Sequence, residues 1–491
     1  MGGEINRPAR RMPAGRVPAR RVPSGWFFPG RRWGSAIVLA LLPLAAAMAN
    51  FTGATYRVSP SEDLSQVTVE VRLPPGRALP LMAPEGRLAA IDSLSRCDAG
   101  PVATRDNRIL PGSDGDCVRY TYPLTGLTGR RSPPVAPGAV LSRPGDWLWT
   151  PEGPSGLPVR IEIALPGDMR ASVPWKPVAP GVFELPPSPG SASAAAVFGT
   201  FRSLEVPVGG TRLRVAAVDG PDLRIDPDVV REWLATAAAD VAGVGGTFPS
   251  PEVQVIVQPV RSRGNSPVPF GYVIRDGGEA VRFFVDPAGS LPALKADWTA
   301  THEFSHLLLP YVRSTEKWVS EGFASYYQNV LLARRGVYSE QEVWSRFHRA
   351  FVRAAGVEQP PALDELHRRD FREVRMLLYW SGAALALRAD TRLRNTATGA
   401  SLDTVLGRLA DCCLPSARVW RADELFAKLD ELAGAAVFTP LFEAQMRVRG
   451  LPDLDGLYAD LGIEPVSDER VRLTGSGRLV AVRDAIMAPK D

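Results

Sequence analysis

The chain has 491 residues, enough for about three domains at a typical ~150 residues each, and 45% of them are hydrophobic, enough to build cores, so a disordered chain is excluded. The formal net charge of +4 is unevenly placed: residues 1–33 hold eight arginines against the single acid Glu4, which leaves the remainder net acidic. That balance excludes a nucleic-acid-binding face on the folded part.

The arginine-rich start runs into an uncharged stretch from Ala36 to Ala49 that closes on small residues at 47 and 49. This is the layout of a secretory signal, and it predicts removal of residues 1–49 and export to the periplasm or the extracellular space. A stable span needs ~20 apolar residues; this run is shorter and Pro43 interrupts it, so no membrane span is expected after cleavage. In an oxidising compartment Cys97 and Cys117, which bracket a Gly-, Asp- and Pro-rich loop, are expected to form a disulfide. Cys412 and Cys413 are adjacent, a spacing that rarely bonds, and read as helix-packing residues.

Residues 50–218 read as a β-rich, sandwich-like domain. Val67, Val69, Val71 and Leu73 alternate with Thr68, Glu70 and Arg72, and further strand-like runs cover 117–124, 146–150, 159–165 and 212–217, separated by proline-rich clusters. Trp147 and Trp149 are expected to fill its core. Residues 219–395 mix helix and strand: a helix over 229–244, strands over 253–260, 270–275 and 280–286, then helices over 292–309, 317–335, 340–355 and 372–393. Residues 396–491 read as a helical domain, with helices over 402–412, 422–433 and 440–448. Gly336 marks a helix stop, Ser339 with Glu342 a capping box, and Thr439-Pro440 a helix start. The fold class is therefore multidomain α+β.

One motif carries chemistry: His302-Glu303-Phe304-Ser305-His306. Residues four apart share a helix face, so both imidazoles can reach one ion while Glu303 stands beside it to act on a water. A catalytic zinc needs a third protein ligand and an open fourth position. Glu321 is the candidate, because Pro310 ends the first helix and a short connection starts a second, antiparallel one with Glu321 in its first turns. Asp364, Glu365 and Glu373 lie further downstream. His348 and His367 sit on charged helix faces and are read as bystanders.

His-Glu-x-x-His followed by Trp318-Val319-Ser320-Glu321-Gly322-Phe323-Ala324 resembles the gluzincin metallopeptidases, in which such a segment supplies the glutamate ligand. Tyr379-Trp380-Ser381-Gly382-Ala383 resembles the Tyr-x-Lys-Gly-Ala segment of the alanyl and glycyl aminopeptidases, whose tyrosine stabilises the transition state. The resemblance implies a β-sandwich-like domain, a thermolysin-like α/β catalytic domain and a helical C-terminal part. It further implies one Zn²⁺ per chain held by His302, His306 and Glu321, with Glu303 as general base, Tyr379 as oxyanion donor and a peptide or protein substrate. The chain departs from the pattern in three places. Only 14 residues separate His306 from Glu321, Ser381 replaces the lysine, and no Gly-x-Met-Glu-Asn segment, whose glutamate binds a substrate's free amine, precedes the motif; Gly277-Gly278-Glu279-Ala280 is its faintest echo. Two other readings stand beside the peptidase: a non-catalytic exported envelope protein with a structural or vestigial metal site, and a zinc hydrolase of non-peptide bonds. Nothing in the sequence sets the oligomeric state.

Overall fold

In this computed structural model the residues described are 51–490, apart from 76, 78, 84–86, 111–116, 125, 128–133, 153–156, 186–193, 276, 397–398 and 417. The expected leader, 1–49, lies outside them. No helix among the described residues is long and apolar enough to cross a membrane.

The N-terminal part is built on a seven-stranded sheet. Its strands are β1 (Ala54–Pro60), β2 (Gln66–Arg72), β3 (Ser93–Arg96), β4 (Cys117–Pro123), β5 (Val159–Ile163), β6 (Lys176–Ala179) and β7 (Val182–Leu185), in the order β6-β7-β5-β1-β2-β4-β3. The alternation along β2 buries Val67, Val69 and Val71 beside Tyr120 and Tyr122 of β4. Trp147 and Trp149 fill this core, Trp149 stacked on Tyr120 at 4.8 Å. The strand expected over 146–150 is instead a one-turn helix, α1 (Pro144–Trp147), which turns both indoles inward. Cys97 and Cys117 are bonded to each other.

A second sheet follows, made of β8 (Arg202–Val208), β9 (Thr211–Ala217), β10 (Glu252–Pro259), β11 (Phe270–Ile274) and β12 (Ala280–Val285) in the order β8-β9-β10-β12-β11. β9, β10 and β12 run parallel, while β11 returns antiparallel to β12 and forms an edge. β8 and β9, which lie within the β-rich stretch expected over 50–218, pair into this sheet and not the N-terminal one. Local alternation in β8 and β9 looks the same in either sheet; only the pairing partner differs.

The faces of the second sheet are distinct. Val215, Val255, Val281 and Phe283 point into the main core, beneath helix α2 (Pro227–Gly245) and the helices that follow. Ala216 and Ile256 point the other way, against Leu141, Val197 and Phe201, where the N-terminal part packs. The remaining helices are α3 (Leu291–Ala296), α4 (Thr299–Ser305), α5 (Lys317–Arg334), α6 (Glu340–Ala355), α7 (Phe371–Arg394), α8 (Leu402–Cys413), α9 (Ala422–Ala433), α10 (Phe438–Met446), α11 (Asp455–Leu461) and α12 (Val480–Met487). A single hydrophobic core runs from Val206 to Met487, so the helices after residue 395 share the interior of the second sheet and have no core of their own. A hairpin, Ile463–Ser467 with Arg470–Leu473, joins them.

The expected helix over 292–309 is broken in two. Asp297 is extended and accepts a hydrogen bond from the Thr299 N–H at 2.8 Å, so it ends α3 and caps α4. Cys412 and Cys413, expected as packing residues, are bonded to each other at the end of α8.

Candidate functional site

α4 reaches the site through a gap in the edge strand. A side chain at Gly271 of β11 would come within 2.8 Å of the Glu303 Cγ, so glycine there lets α4 seat against the sheet with Glu303 facing the cleft. α4 ends at Ser305, and His306 opens a 3₁₀ turn, His306–Leu308. Arg275, at the end of β11, donates to the carbonyl of His306 and clamps that turn.

α5 runs back antiparallel to α4, as the spacing predicts. His306 meets Ser320 in its first turns, and His302 meets Gln328 two turns further on. α7 then packs on α5 at Gly322 and Gly382. A Cβ on Gly322 would lie 2.2 Å from the Gly382 Cα, and one on Gly382 would lie 2.1 Å from the Trp318 carbonyl oxygen. Only a glycine pair permits this crossing, which sets Glu321 and Tyr379 beside the histidines.

The three ligand candidates converge. Glu321 Oε2 lies 3.4 Å from His302 Nε2 and 3.5 Å from His306 Nε2, and one donor atom from each residue falls within 4.8 Å of the others. A tetrahedral zinc with nitrogen and oxygen ligands at about 2.0–2.2 Å holds its donors about 3.3–3.5 Å apart, so the set fits that ion. The outer nitrogens are held away from the centre: His302 Nδ1 lies 2.7 Å from Gln328 Oε1, and His306 Nδ1 lies 2.8 Å from Ser320 Oγ. Such contacts fix ring orientation and leave Nε2 free for a metal. Gln328 and Ser320 were not singled out from the sequence. Helical spacing offered a signal for Gln328 alone, which lies seven after Glu321 and so on the same face of α5; Ser320, next to Glu321, had none.

The electrostatics suit the same use. Burial pushes His306 down to about 3, which keeps its imidazole neutral and its lone pair available. Glu321 resists its own burial, and the neighbouring His306 and His302 hold it at about 2, a carboxylate at any ordinary pH. Glu303 is different. It is 7% exposed, its closest approach to a base is 4.0 Å from His306 Nε2, it makes no side-chain hydrogen bond among the described residues, and burial pushes it up to about 7. The Tyr379 ring stacks on His302 at 6.0 Å, and burial, with Glu321 and Glu303 nearby, raises its hydroxyl so that it stays a proton donor.

The other candidates are committed elsewhere. Glu365 accepts from the Ala362 N–H and pairs with Arg449, and Glu373 pairs with Arg369. Glu279 is buried against Arg275 at 3.3 Å, and β11, the strand beside Glu303, contains no acid. His367 is exposed, whereas His348, expected on a charged face, is buried, 3.0 Å from the Ser467 carbonyl oxygen and packed on Tyr458.

Residues 310–360 match the M61 glycyl aminopeptidase family. No curated protein matches the chain in sequence. Among solved structures, an aminopeptidase N family protein from Idiomarina loihiensis aligns with a TM-score of 0.60 at 14% identity, over 86% of this chain and 82% of that one. An M1 zinc metallopeptidase from Deinococcus radiodurans aligns with a TM-score of 0.49 at 15% identity, over 84% of this chain and 95% of that one. The first of these likenesses shows a common fold. Together with the matched segment and the donor set, it makes the chain similar to the glycyl and alanyl aminopeptidase group of gluzincins.

Proposed function

We propose that this aminopeptidase-like zinc metallopeptidase hydrolyses peptide bonds with one zinc per chain held by His302, His306 and Glu321, with Glu303 as general base and Tyr379 as oxyanion donor, and that it acts outside the cytoplasm after loss of residues 1–49. The observation that carries the catalytic reading is Glu303. The Glu303 carboxyl stands beside the ligands without a side-chain hydrogen bond among the described residues, and a purely structural metal site has no use for a carboxyl so placed. A base poised near neutrality beside three converging ligands does have a use.

Held by His302, His306 and Glu321, a zinc ion would supply a water of pKa about 7 and would polarise a carbonyl. Glu303 takes the proton of the attacking water and delivers it to the leaving amine. The Tyr379 hydroxyl donates to the oxygen that becomes negative as the carbonyl carbon turns tetrahedral. Gln328 and Ser320 hold the two imidazoles in place. Because β11 offers no carboxylate and Glu279 is occupied by Arg275, cleavage should depend weakly on a free N-terminus.

The test is hydrolysis of a short peptide, free and N-acetylated, by zinc-loaded exported protein, with N-terminal sequencing and metal analysis on the same sample. The expected result is an N-terminus at Asn50, about one zinc per chain and cleavage of both peptides. Protein that takes up no zinc, or that cleaves neither peptide when loaded, overturns the reading; a strict need for the free amine overturns its last part.

A further inference from the structure

The helices that supply Glu321 and Tyr379 also carry cations that no acid among the described residues pairs with. Lys317 opens α5 one turn before Glu321, and Arg375 lies one turn before Tyr379 on α7. Residues four apart on a helix share a face, with Cβ atoms about 5–6 Å apart, so each cation stands on the face of the site residue that follows it. Arg372, seven before Tyr379, extends the same face of α7 outward. α5 and α7 run parallel: Gly322 meets Gly382, and further along both helices in the same direction the Tyr326 hydroxyl donates to Asp390. Parallel packing brings the N-terminal turns of both helices, and their cations, to one end of the pair, at the mouth of the site.

All three side chains are exposed, and none makes an ion pair or side-chain hydrogen bond among the described residues. Their acidic neighbours are engaged elsewhere. Glu316 accepts from the Ala422 N–H, Asp370 caps α7 and Glu373 pairs with Arg369. Lys317 lies close enough to add its charge at Glu321 and His306, and Arg375 at Tyr379.

Resting on the peptidase reading, we infer that Lys317 and Arg375, with Arg372 behind, form a carboxylate subsite beside the scissile bond, so that the preferred substrates are acidic peptides. The recognised group is a carboxylate, either of an acidic side chain flanking the cleaved bond or of a short peptide's free C-terminus. Two cations on neighbouring helix starts give an approaching anion an orientation as well as an attraction.

The experiment uses one short peptide in four forms, with Glu or Gln beside the cleaved bond and a free acid or an amide at the C-terminus. Zinc-loaded wild type should favour one acidic form over its neutral partner by about three- to tenfold in kcat/KM, since exposed ion pairs are modest. The form preferred identifies the source of the carboxylate. In Lys317→Gln/Arg375→Gln the preference should fall towards unity, with the loss in KM, and Lys317→Arg should retain it. Zinc content is measured on each variant, because Lys317 lies near Glu321. Wild type without preference, or a double variant that keeps it, overturns the inference. Binding of the same four peptides to zinc-loaded Glu303→Gln is the second readout. If wild type cleaves nothing, the peptidase reading fails, and the inference then stands or falls on whether this binding follows the carboxylate.

Discussion

α5 and α7 hold buried acids at two levels, and the two levels are finished differently. Away from the site, Asp390 accepts from the Tyr326 hydroxyl, the Leu402 N–H and Arg394, while Asp403 accepts from the Tyr327 hydroxyl, Arg334 and Lys490. Each of these acids is 1% exposed, and its oxygens are occupied. At the site end, Glu303 is almost as buried and has no hydrogen bond, and Glu321 shares its oxygen between two imidazoles that point at one another's space. Saturated acids tie helices together; the acids of the site stand beside converging donors with oxygens that no helix-tying contact uses up.

The sharpest way to break this contrast is to neutralise Glu303. Glu303→Gln should keep zinc and lose about 10²–10⁴ in kcat, the range of a general base, whereas Glu321→Ala should lose the metal itself. Without zinc, the same Glu303→Gln change should leave thermal stability equal or raise it, since it removes an unpaired buried charge. The pH dependence follows from the sign of the shift. Burial raises Glu303 in the fold from about 4.5 to about 7, so the folded state holds more protons between those values. The contribution of Glu303 to metal-free stability is thus fully present below about 4.5 and is lost as pH rises through about 7. Glu303→Gln should lack that decline, and urea titrations at several pH values would show it.

Asp403→Asn should behave in the opposite way. Breaking one side of a buried pair typically costs about 3–5 kcal/mol, because Arg334 and Lys490 are left without their acid. Folded variant should still bind zinc and turn over normally. A variant of normal stability with impaired turnover would erase the distinction between the two levels.

Tyr379→Phe comes next in size. The ring stays on His302, so packing is kept and only the donor is lost. Removing one oxyanion donor typically costs ~10²–10³ in kcat, with little change in KM, zinc content or melting temperature. A kcat within about threefold of wild type, ~0.7 kcal/mol or less, would place Tyr379 with the packing aromatics.

How much of this could be read from sequence depended on whether the partner was local. The helices over 340–355 and 422–433 appear with the predicted ends, because Ser339 caps through the Glu342 N–H and Gly434 takes the left-handed stop. His302 and His306 were legible because residues four apart come to one face even where the helix tightens into a 3₁₀ turn, and Glu303 because it stands beside them. Glu321 needed only a hairpin. The break at Asp297 was missed although the Asp-x-Thr turn marks it, since hydrophobic periodicity runs through Trp298 into α4. Glu279 could not be judged without β11, because its partner Arg275 is fixed by strand pairing and not by spacing. The same holds for β8 and β9, and for the glycine pair at 322 and 382, whose meaning appears only when α5 and α7 cross.

The smallest expected effect is also the finest test of the contrast. Asp403 and Gln328 both sit on or against α5, yet Asp403 acts on the fold and Gln328 acts only through His302. Gln328→Ala removes the contact that fixes the His302 ring at a half-buried position of α5, and no other described residue hydrogen-bonds the amide, so metal-free stability should change little. Zinc affinity should fall by about 10–100-fold, as for other lost outer contacts to ligating histidines. At saturating zinc that loss removes about 1.4–2.7 kcal/mol of zinc-dependent stabilisation, visible as a smaller rise in melting temperature on adding the metal. Chelator competition measures the affinity directly, and Gln328→Glu, which restores the acceptor and adds charge, should recover it. A Gln328→Ala protein that is destabilised without zinc but binds it normally would show that Gln328 belongs with Asp390 and Asp403, among the groups that hold the helices together.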